Sequence, residues 1–353
     1  MARRALEDEL GSVCSFYLEP LDGQPLPPFR PGQFLTFRLE VPDPDGKGTK
    51  PIIRCYSLSD RPHPDHYRVS IKRIPAPPDL PEIPPGLASG WFHDHALEGT
   101  VLQVRAPSGH FHLSDDPEAP VVLVAGGIGI TPMLSMLNTL LHQGATRPIW
   151  LFYGVRHGGE PVMQDHLRAL AARHPNFQLH LCYSNPREQD RAGVDFHHHG
   201  HADIQRLRLS LPLRRHQFYI CGPKPMIEAL VPALEAWGVA ETDIHYEAFG
   251  PASVVRAPAT ALAPQAAPVQ GITVTFRKSG RSLAWDGAAS LLEFAEAHGI
   301  AVESGCRAGG CGCCQTKLEA GEVRYAREPD AEVTPGHCLL CITTPKTDLT
   351  LEA

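Results

Sequence analysis

The amino-acid sequence predicts a multidomain chain: an antiparallel β-barrel, then a doubly wound α/β domain, then a smaller α+β domain. Three observations carry this. Strand-like runs separated by turns fill the chain up to about residue 115, and short apolar runs alternate with helical stretches from about 119 to 249. A hairpin, a helix and a cysteine-rich loop follow residue 270. The expected domains are 1–115, 116–250 and 270–353, joined by an Ala- and Pro-rich linker over 251–269. A chain of 353 residues is long enough to bury a core in each.

Composition narrows the function classes. The net charge is −7 and no basic block or basic amphipathic helix stands out, which argues against a nucleic-acid or membrane surface. The opening "MARRALEDELG" lacks the apolar core of a secretory signal. The run "VVLVAGGIGI" is too short and too glycine-rich to span a bilayer. A cytoplasmic protein is expected, and its 10 cysteines then stay reduced, which favours metal binding or catalysis over disulfides.

In the first segment, "CSFYLEP", "QFLTFRLEV", "IIRCYSLSD", "YRVSIKR" and "TVLQVRAP" read as strands, with "PGQ" as a turn. "ASGWFHDHA" reads as one short helix, and a small barrel is the natural way to close the set. In the second, "VVLVAG", "IWLFYG", "LHLCYS", "QFYICG" and "IHYEAF" alternate with helices such as "PMLSMLNTLL" and "MIEALVPALEAWG". That order predicts a doubly wound parallel sheet binding its ligand at the strands' carboxyl ends. In the third, "ITVTFRKSGRSLAWD" is a hairpin turning at Ser279-Gly280, and "ASLLEFAEAHG" a helix closed by Gly299.

The loop "ESGCRAGGCGCC" spaces Cys306, Cys311 and Cys314 as C-x4-C-x2-C, the spacing of plant-type [2Fe–2S] sites, which take a distant fourth cysteine. The glycines between them let backbone amides turn toward an anionic cluster. Zinc is the rival reading, but pairing Cys311–Cys314 with Cys338–Cys341 leaves Cys306 and the glycines without a role. Spacing alone leaves Cys338 and Cys341 as candidates for the fourth position, and Cys313 should point elsewhere.

A one-electron centre needs an electron source. "VVLVAGGIGITPM" is a strand, a glycine turn and a helix start, with Thr131 as the expected N-cap and Pro132 at the first helical position. Such a turn offers Gly126, Gly127 and Gly129 to a phosphate. Cys221 and Gly222 close another strand at the same edge. In "RCYSLSD", Arg54 offers a cation, Tyr56 an aromatic face and Ser57 a hydroxyl. Gly86 and Ser89 open the short helix, and Lys72 could neutralise a phosphate there. "FHHHGH" (His197, His198, His199, His201) suggests a metal at first sight, but its place points to a loop before a helix with solvated histidines.

Together R-x-Y-S at 54–57, G-x-x-S at 86–89, G-G-x-G-x-T-P at 126–132, C-G-P-x-x-M at 221–226 and the cysteine loop resemble the ferredoxin–NADP reductase superfamily in order along nearly the whole chain. With the cluster segment last, the chain looks like oxygenase reductases of the phthalate dioxygenase reductase type. "RCYSLSD" and "YSNPREQDRAGVDF" look more like flavohaemoglobin reductase regions. The resemblance implies an FAD-binding barrel, an NAD(P)-binding α/β domain and a β-grasp ferredoxin domain. It implies that Arg54, Tyr56 and Ser57 hold the flavin, with Ser57 near its reactive nitrogen, and that Gly86 and Ser89 hold the pyrophosphate. The nucleotide would lie on Gly126, Gly127, Gly129, Thr131 and Gly222, with Cys221 near the nicotinamide and Glu247 and Phe249 bordering the flavin. In related ferredoxin domains the last ligand precedes Pro and Asp as in "CITTPKTD", which selects Cys341 as the fourth ligand and leaves Cys338 as a small buried residue.

The resemblance favours FAD over FMN because the FMN-using branch lacks the "GLAS" site. Ser184-Asn185 in place of Ser-Arg favours NADH over NADPH, although Arg187 and Arg191 could reach a 2′-phosphate. The implied activity is an NAD(P)H-dependent reductase that passes electrons to a partner such as a Rieske-type oxygenase or a haem protein. A non-catalytic redox sensor, or a reductase of free flavin or dioxygen, is the alternative.

Overall fold

The computed structural model describes residues 1–43, 48–77, 84–249 and 271–353. The expected linker over 251–269 lies outside them, as does part of the proline-rich stretch near residue 80.

The first domain has strands β1 (Arg3–Leu6), β2 (Val13–Leu18), β3 (Phe34–Pro42), β4 (Thr49–Ser57), β5 (Tyr67–Lys72) and β6 (Gln103–Ser108), with helix α1 (Leu87–His95) before β6. They form two antiparallel sheets, β1-β2-β5 and β4-β3-β6, linked by the isolated Leu58–Val69 bridge. Alternation fixes the faces of the second sheet. Leu35, Phe37 and Leu39 of β3 and Tyr56 of β4 turn to a core shared with Phe92 of α1. Phe34 and Ile53 turn the other way. Strand β1 was not expected, because "RRAL" carries too little apolar alternation to read as an edge strand.

The second domain runs β7 (Val121–Gly126), α2 (Ile130–His142), β8 (Ile149–Val155), α3 (Gln164–Arg173), β9 (Phe177–Tyr183), β10 (His198–His199), α4 (Ile204–Ser210), β11 (Gln217–Gly222), α5 (Lys224–Ala236) and β12 (Ile244–Ala248). All pairings are parallel, in the order β10-β9-β8-β7-β11-β12. Every residue of β7 and β11 is buried, as a sheet covered on both faces requires. Alternate residues feed two separate cores. Helix α2 is buried on nearly all sides because it lies between the sheet and the first domain. Its Ser135 hydroxyl donates to the Asp60 carbonyl at 2.7 Å and Asn138 Nδ2 to Asp60 Oδ1 at 2.9 Å.

The third domain contains β13 (Thr273–Phe276), β14 (Arg281–Ala284), α6 (Leu291–Ala297), β15 (Gln315–Ala320), β16 (Val323–Tyr325), β17 (His337–Leu339), β18 (Thr343–Pro345) and β19 (Leu349–Leu351). A mixed five-stranded sheet, β14-β13-β19-β15-β17, packs against α6, and β16 pairs with β18. Ser290 caps α6 by accepting from the Glu293 amide. No helix among the described residues is long and apolar enough to cross a membrane.

Candidate functional site

The strands all run parallel but their order reverses between β7 and β11, the switch point at which such sheets bind ligands. The glycines make that junction tight. A Cβ on Gly129 would lie 2.2 Å from the Cys221 carbonyl oxygen, and one on Gly126 would lie 2.6 Å from Pro223 Cδ. A Cβ on Gly222 would lie 2.9 Å from the Gly126 amide nitrogen. Gly127 takes φ 53°, which glycine adopts at little cost. The helix start differs from expectation. α2 begins at Ile130 with Gly129 as its cap residue, and the buried Thr131 hydroxyl donates to the Ile128 carbonyl at 3.1 Å instead of capping. A short 3-10 turn over Gly127–Gly129 moves the helix start ahead of Thr131.

Cys221 is fully buried beneath this turn, and burial pushes its thiol pKa well up, so it behaves as a small neutral group. On the neighbouring strand its register partner is Glu247. The Glu247 Oε2 atom is cut off from solvent and has no hydrogen-bond partner. Desolvation raises its pKa to about 8. A buried carboxyl oxygen with nothing to bond to is the group expected beside an unfilled polar ligand edge. Phe249, two residues on, is 41% exposed.

On the first domain, Tyr56 packs edge-on against Phe37 and Phe92, with ring centroids 5.9 and 5.2 Å away. Ser57 ends β4 and is buried. Arg54 is exposed, its Nη1 donating to the Ile53 carbonyl at 2.7 Å. The "GLAS" stretch opens α1, but its serine is already occupied. Ser89 Oγ donates to the Gly86 carbonyl at 3.0 Å and accepts from the Ile74 amide at 3.2 Å. These bonds tie α1 to the chain leaving β5, so any anion here would meet the helix amides and not this hydroxyl. Lys72, at the end of β5, faces the Glu160 carboxylate of the second domain. Arg187 is held by Glu9 through two contacts of 3.1 Å and by Asp190, and Arg191 by Asp195 at 3.2 Å. The Arg187 guanidinium is thus engaged by two carboxylates, while the Arg191 side chain is 70% exposed and meets Asp195 through Nε.

The cysteine loop gathers its sulfurs in two pairs. Cys314 Sγ and Cys341 Sγ lie 3.1 Å apart. Cys306 and Cys311 face each other, with the Cys306 amide donating to Cys311 Sγ and the Cys311 amide to Cys306 Sγ, both at 3.3 Å. Cys306 Sγ also accepts from the Ala308 and Gly310 amides at 3.3 Å. A [2Fe–2S] cluster takes four thiolates, two per iron, and amides aimed at the sulfurs stabilise their negative charge. Two pairs fit that need. Cys338 is fully buried in the core of the third domain, opposite Thr316 on β15, and burial pushes its thiol up to about 12.

The histidine run is more ordered than expected. His198 and His199 form β10 at the sheet edge, and His198 Nε2 lies 2.9 Å from His180 Nδ1. Asp203 then caps α4.

Sequence reasoning missed how the cysteine loop seats itself. Arg105 Nη1 donates to the Cys311 carbonyl at 2.7 Å, and Arg38 pairs with Glu303 at 3.0 Å. Cys311 and Cys313 bury against Phe34 and Ile53, with Cys55 and Cys306 alongside. The loop thus lies on the outer face of β4-β3-β6, the sheet that carries Arg54, Tyr56 and Ser57. The signal was available in alternation, since Phe34 and Ile53 are apolar on the face opposite the barrel core.

Two family models match the chain. Residues 123–231 match the oxidoreductase NAD-binding domain, and residues 274–346 the 2Fe-2S iron-sulfur cluster binding domain. A flavohemoprotein from Halalkalibacterium halodurans is 38% identical over 247 residues, covering 70% of this chain and 58% of that protein. The chain therefore spans less than two thirds of the length of that curated relative. The FAD/NAD-binding domain of nitric oxide dioxygenase from Vibrio cholerae superposes with a TM-score of 0.61 at 30% identity, over 70% of this chain and 96% of that one. Phthalate dioxygenase reductase superposes with a TM-score of 0.58 at 26% identity, over 100% of this chain and 96% of that one.

Proposed function

Because this chain belongs to the ferredoxin–NADP reductase-like oxidoreductases and carries a 2Fe-2S domain after its nucleotide domain, we propose that it supplies electrons from NADH to a separate acceptor protein by way of FAD and a [2Fe–2S] cluster. The observation that carries this reading is the seating of Cys306 and Cys311 on the sheet that bears the R-x-Y-S residues. A flavin and a cluster held there are neighbours.

Bound FAD would supply the splitting of a hydride's electron pair into single electrons, and the cluster a one-electron carrier at about −400 mV. The chain's own residues hold these groups in line. Tyr56 offers its ring and Ser57 its hydroxyl to the flavin, and Arg54 gives a cation at its phosphate side. Gly86 and Ser89 position the α1 amides. The packed turn of Gly126, Gly127, Gly129 and Thr131, with Gly222 opposite, lets a dinucleotide approach the backbone closely. Cys221 and Glu247 would line the nicotinamide site, and burial, which raises the Glu247 pKa to about 8, favours a protonated carboxyl that could donate a hydrogen bond to the flavin edge. Cys306, Cys311, Cys314 and Cys341 would hold the iron.

The acceptor is an oxygenase component or a haem protein. The end-to-end likeness to phthalate dioxygenase reductase supports the first, and the flavohemoprotein likeness the second. Anaerobic NADH should bleach flavin and cluster together within a turnover time, and cytochrome c should then reoxidise both. A protein that binds both chromophores but is not reduced by NADH would be a sensor instead. Full reductase activity after removal of the cluster would make it a reductase of free flavin or dioxygen.

A further inference from the structure

Cys55 has no part in the reading above, yet it stands between two proposed flavin residues and beside a proposed iron ligand. Alternation along β4 sends Tyr56 into the barrel core and Cys55, with Ile53, to the opposite face under the cysteine loop. There it packs against one buried cluster of Cys311, Cys313, Phe34 and Ile53. On the adjacent strand, its register partner Thr36 places Oγ1 3.4 Å from Cys55 Sγ. Arg105 grips the same ligand from the other side, through the Cys311 carbonyl. Cys311 is thus bonded to the flavin sheet through its backbone and packed against that sheet by its side chain.

We propose that Cys55 is a positioning residue that couples the flavin sheet to the cluster and sets the cluster's potential. The Thr36 hydroxyl donates to Cys55 Sγ and so aims the Cys55 S–H at Cys311 Sγ. Hydrogen bonds to cluster sulfurs stabilise the reduced, more negative state and raise the potential. The three amides on Cys306 come from the loop itself, whereas this S–H comes from the first domain. Undocking of the third domain would remove it, so the cluster's electron affinity depends on its contact with the domain that loads it.

The proposal rests on Cys311 as an iron ligand. Its test is a potentiometric titration of Cys55→Ala, Cys55→Ser and Thr36→Val, with the cluster followed by EPR and the flavin by absorbance in the same sample. Cys55→Ala should shift the cluster–flavin equilibrium about tenfold against the cluster, about 59 mV for one electron. Cys55→Ser, which keeps a donor, should stay closer to wild type, and Thr36→Val should move the same way as alanine but less. Flavin potential and iron content should not change. A wild-type potential in Cys55→Ala, a serine variant shifted as far as alanine, or loss of the cluster from the alanine variant overturns the tuning role. A wild-type chain that binds no iron would instead overturn the ligand assignment beneath it.

Discussion

The glycine turn after β7 and the glycine loop around the cysteines look alike in sequence and are built for opposite purposes. In the turn, Gly129 and Gly222 bring backbone against backbone: a Cβ at 129 would lie 2.2 Å from the Cys221 carbonyl oxygen and one at 222 would lie 2.9 Å from the Gly126 amide nitrogen. In the loop, the amides turn inward to sulfur, and Gly309 takes φ 79° to let them. The turn is therefore intolerant of a side chain at Gly129, whereas the loop depends on where its donors point. One builds a surface for a ligand that comes and goes; the other builds a shell for a group that stays.

The sharpest way to break that contrast is to move a ligand. Cys341→Ala should abolish the iron–sulfur absorption and EPR signal while the protein stays yellow, because one of the two sulfur pairs is then incomplete. Cys338→Ala should keep its full iron content and lose roughly 1 kcal/mol of stability through core packing. Iron and sulfide analysis of the two variants reads the result. A cluster kept by the first and lost by the second would reverse the assignment.

Next in size is Gly129→Ala. The new methyl meets backbone, which cannot rotate away, so β7 and β11 must part. The expected cost is at the upper end of the about 1–3 kcal/mol typical of overpacking, read by denaturant unfolding. Reduction by NADH should slow with it, and the cluster spectrum should not change. A variant as stable as wild type would mean the strand ends are looser than they look.

Glu247 offers a smaller, pH-dependent effect. Its folded pKa of about 8 lies above its unfolded value, so the folded chain holds a proton that the unfolded chain releases first. Stability should fall as pH rises from the ordinary carboxylate range through about 8, and Glu247→Gln should remove that part of the slope. Flavin reduction by NADH should show an inflection near pH 8 in wild type and none in the glutamine variant. An inflection that persists in the variant belongs to another group.

Much of this was legible in the sequence because period and spacing translate directly into structure. The runs from "VVLVAG" to "IHYEAF" became five neighbouring parallel strands, and the C-x4-C-x2-C spacing brought Cys306 to Cys311. Hydroxyl roles were less legible. Ser89 and Thr131 sit at the expected helix starts, yet each is spent on a carbonyl within its own turn, because a local acceptor three residues away competes with any ligand. Contacts between domains were least legible. Nothing in the spacing of Arg105 or Cys55 says that a loop some two hundred residues later will lie on them.

The smallest effect concerns the choice of nucleotide, and it sharpens the picture of the turn as an open surface. A 2′-phosphate needs a free guanidinium, and Arg187 is committed to Glu9 and Asp190. Asp190 also accepts from the Gly158 and Arg187 amides, so it holds the loop together and is a poor site to change. Glu9 is exposed and, among the described residues, its carboxylate bonds to Arg187, so Glu9→Gln loosens the arginine without disturbing the loop. The kcat/KM ratio of NADPH to NADH should then rise by about two- to fivefold, the scale of one exposed ion pair, with NADH kinetics unchanged. An unchanged ratio would mean that Arg187 lies out of reach of the ribose, and that the absence of an arginine at Ser184-Asn185 alone sets the preference.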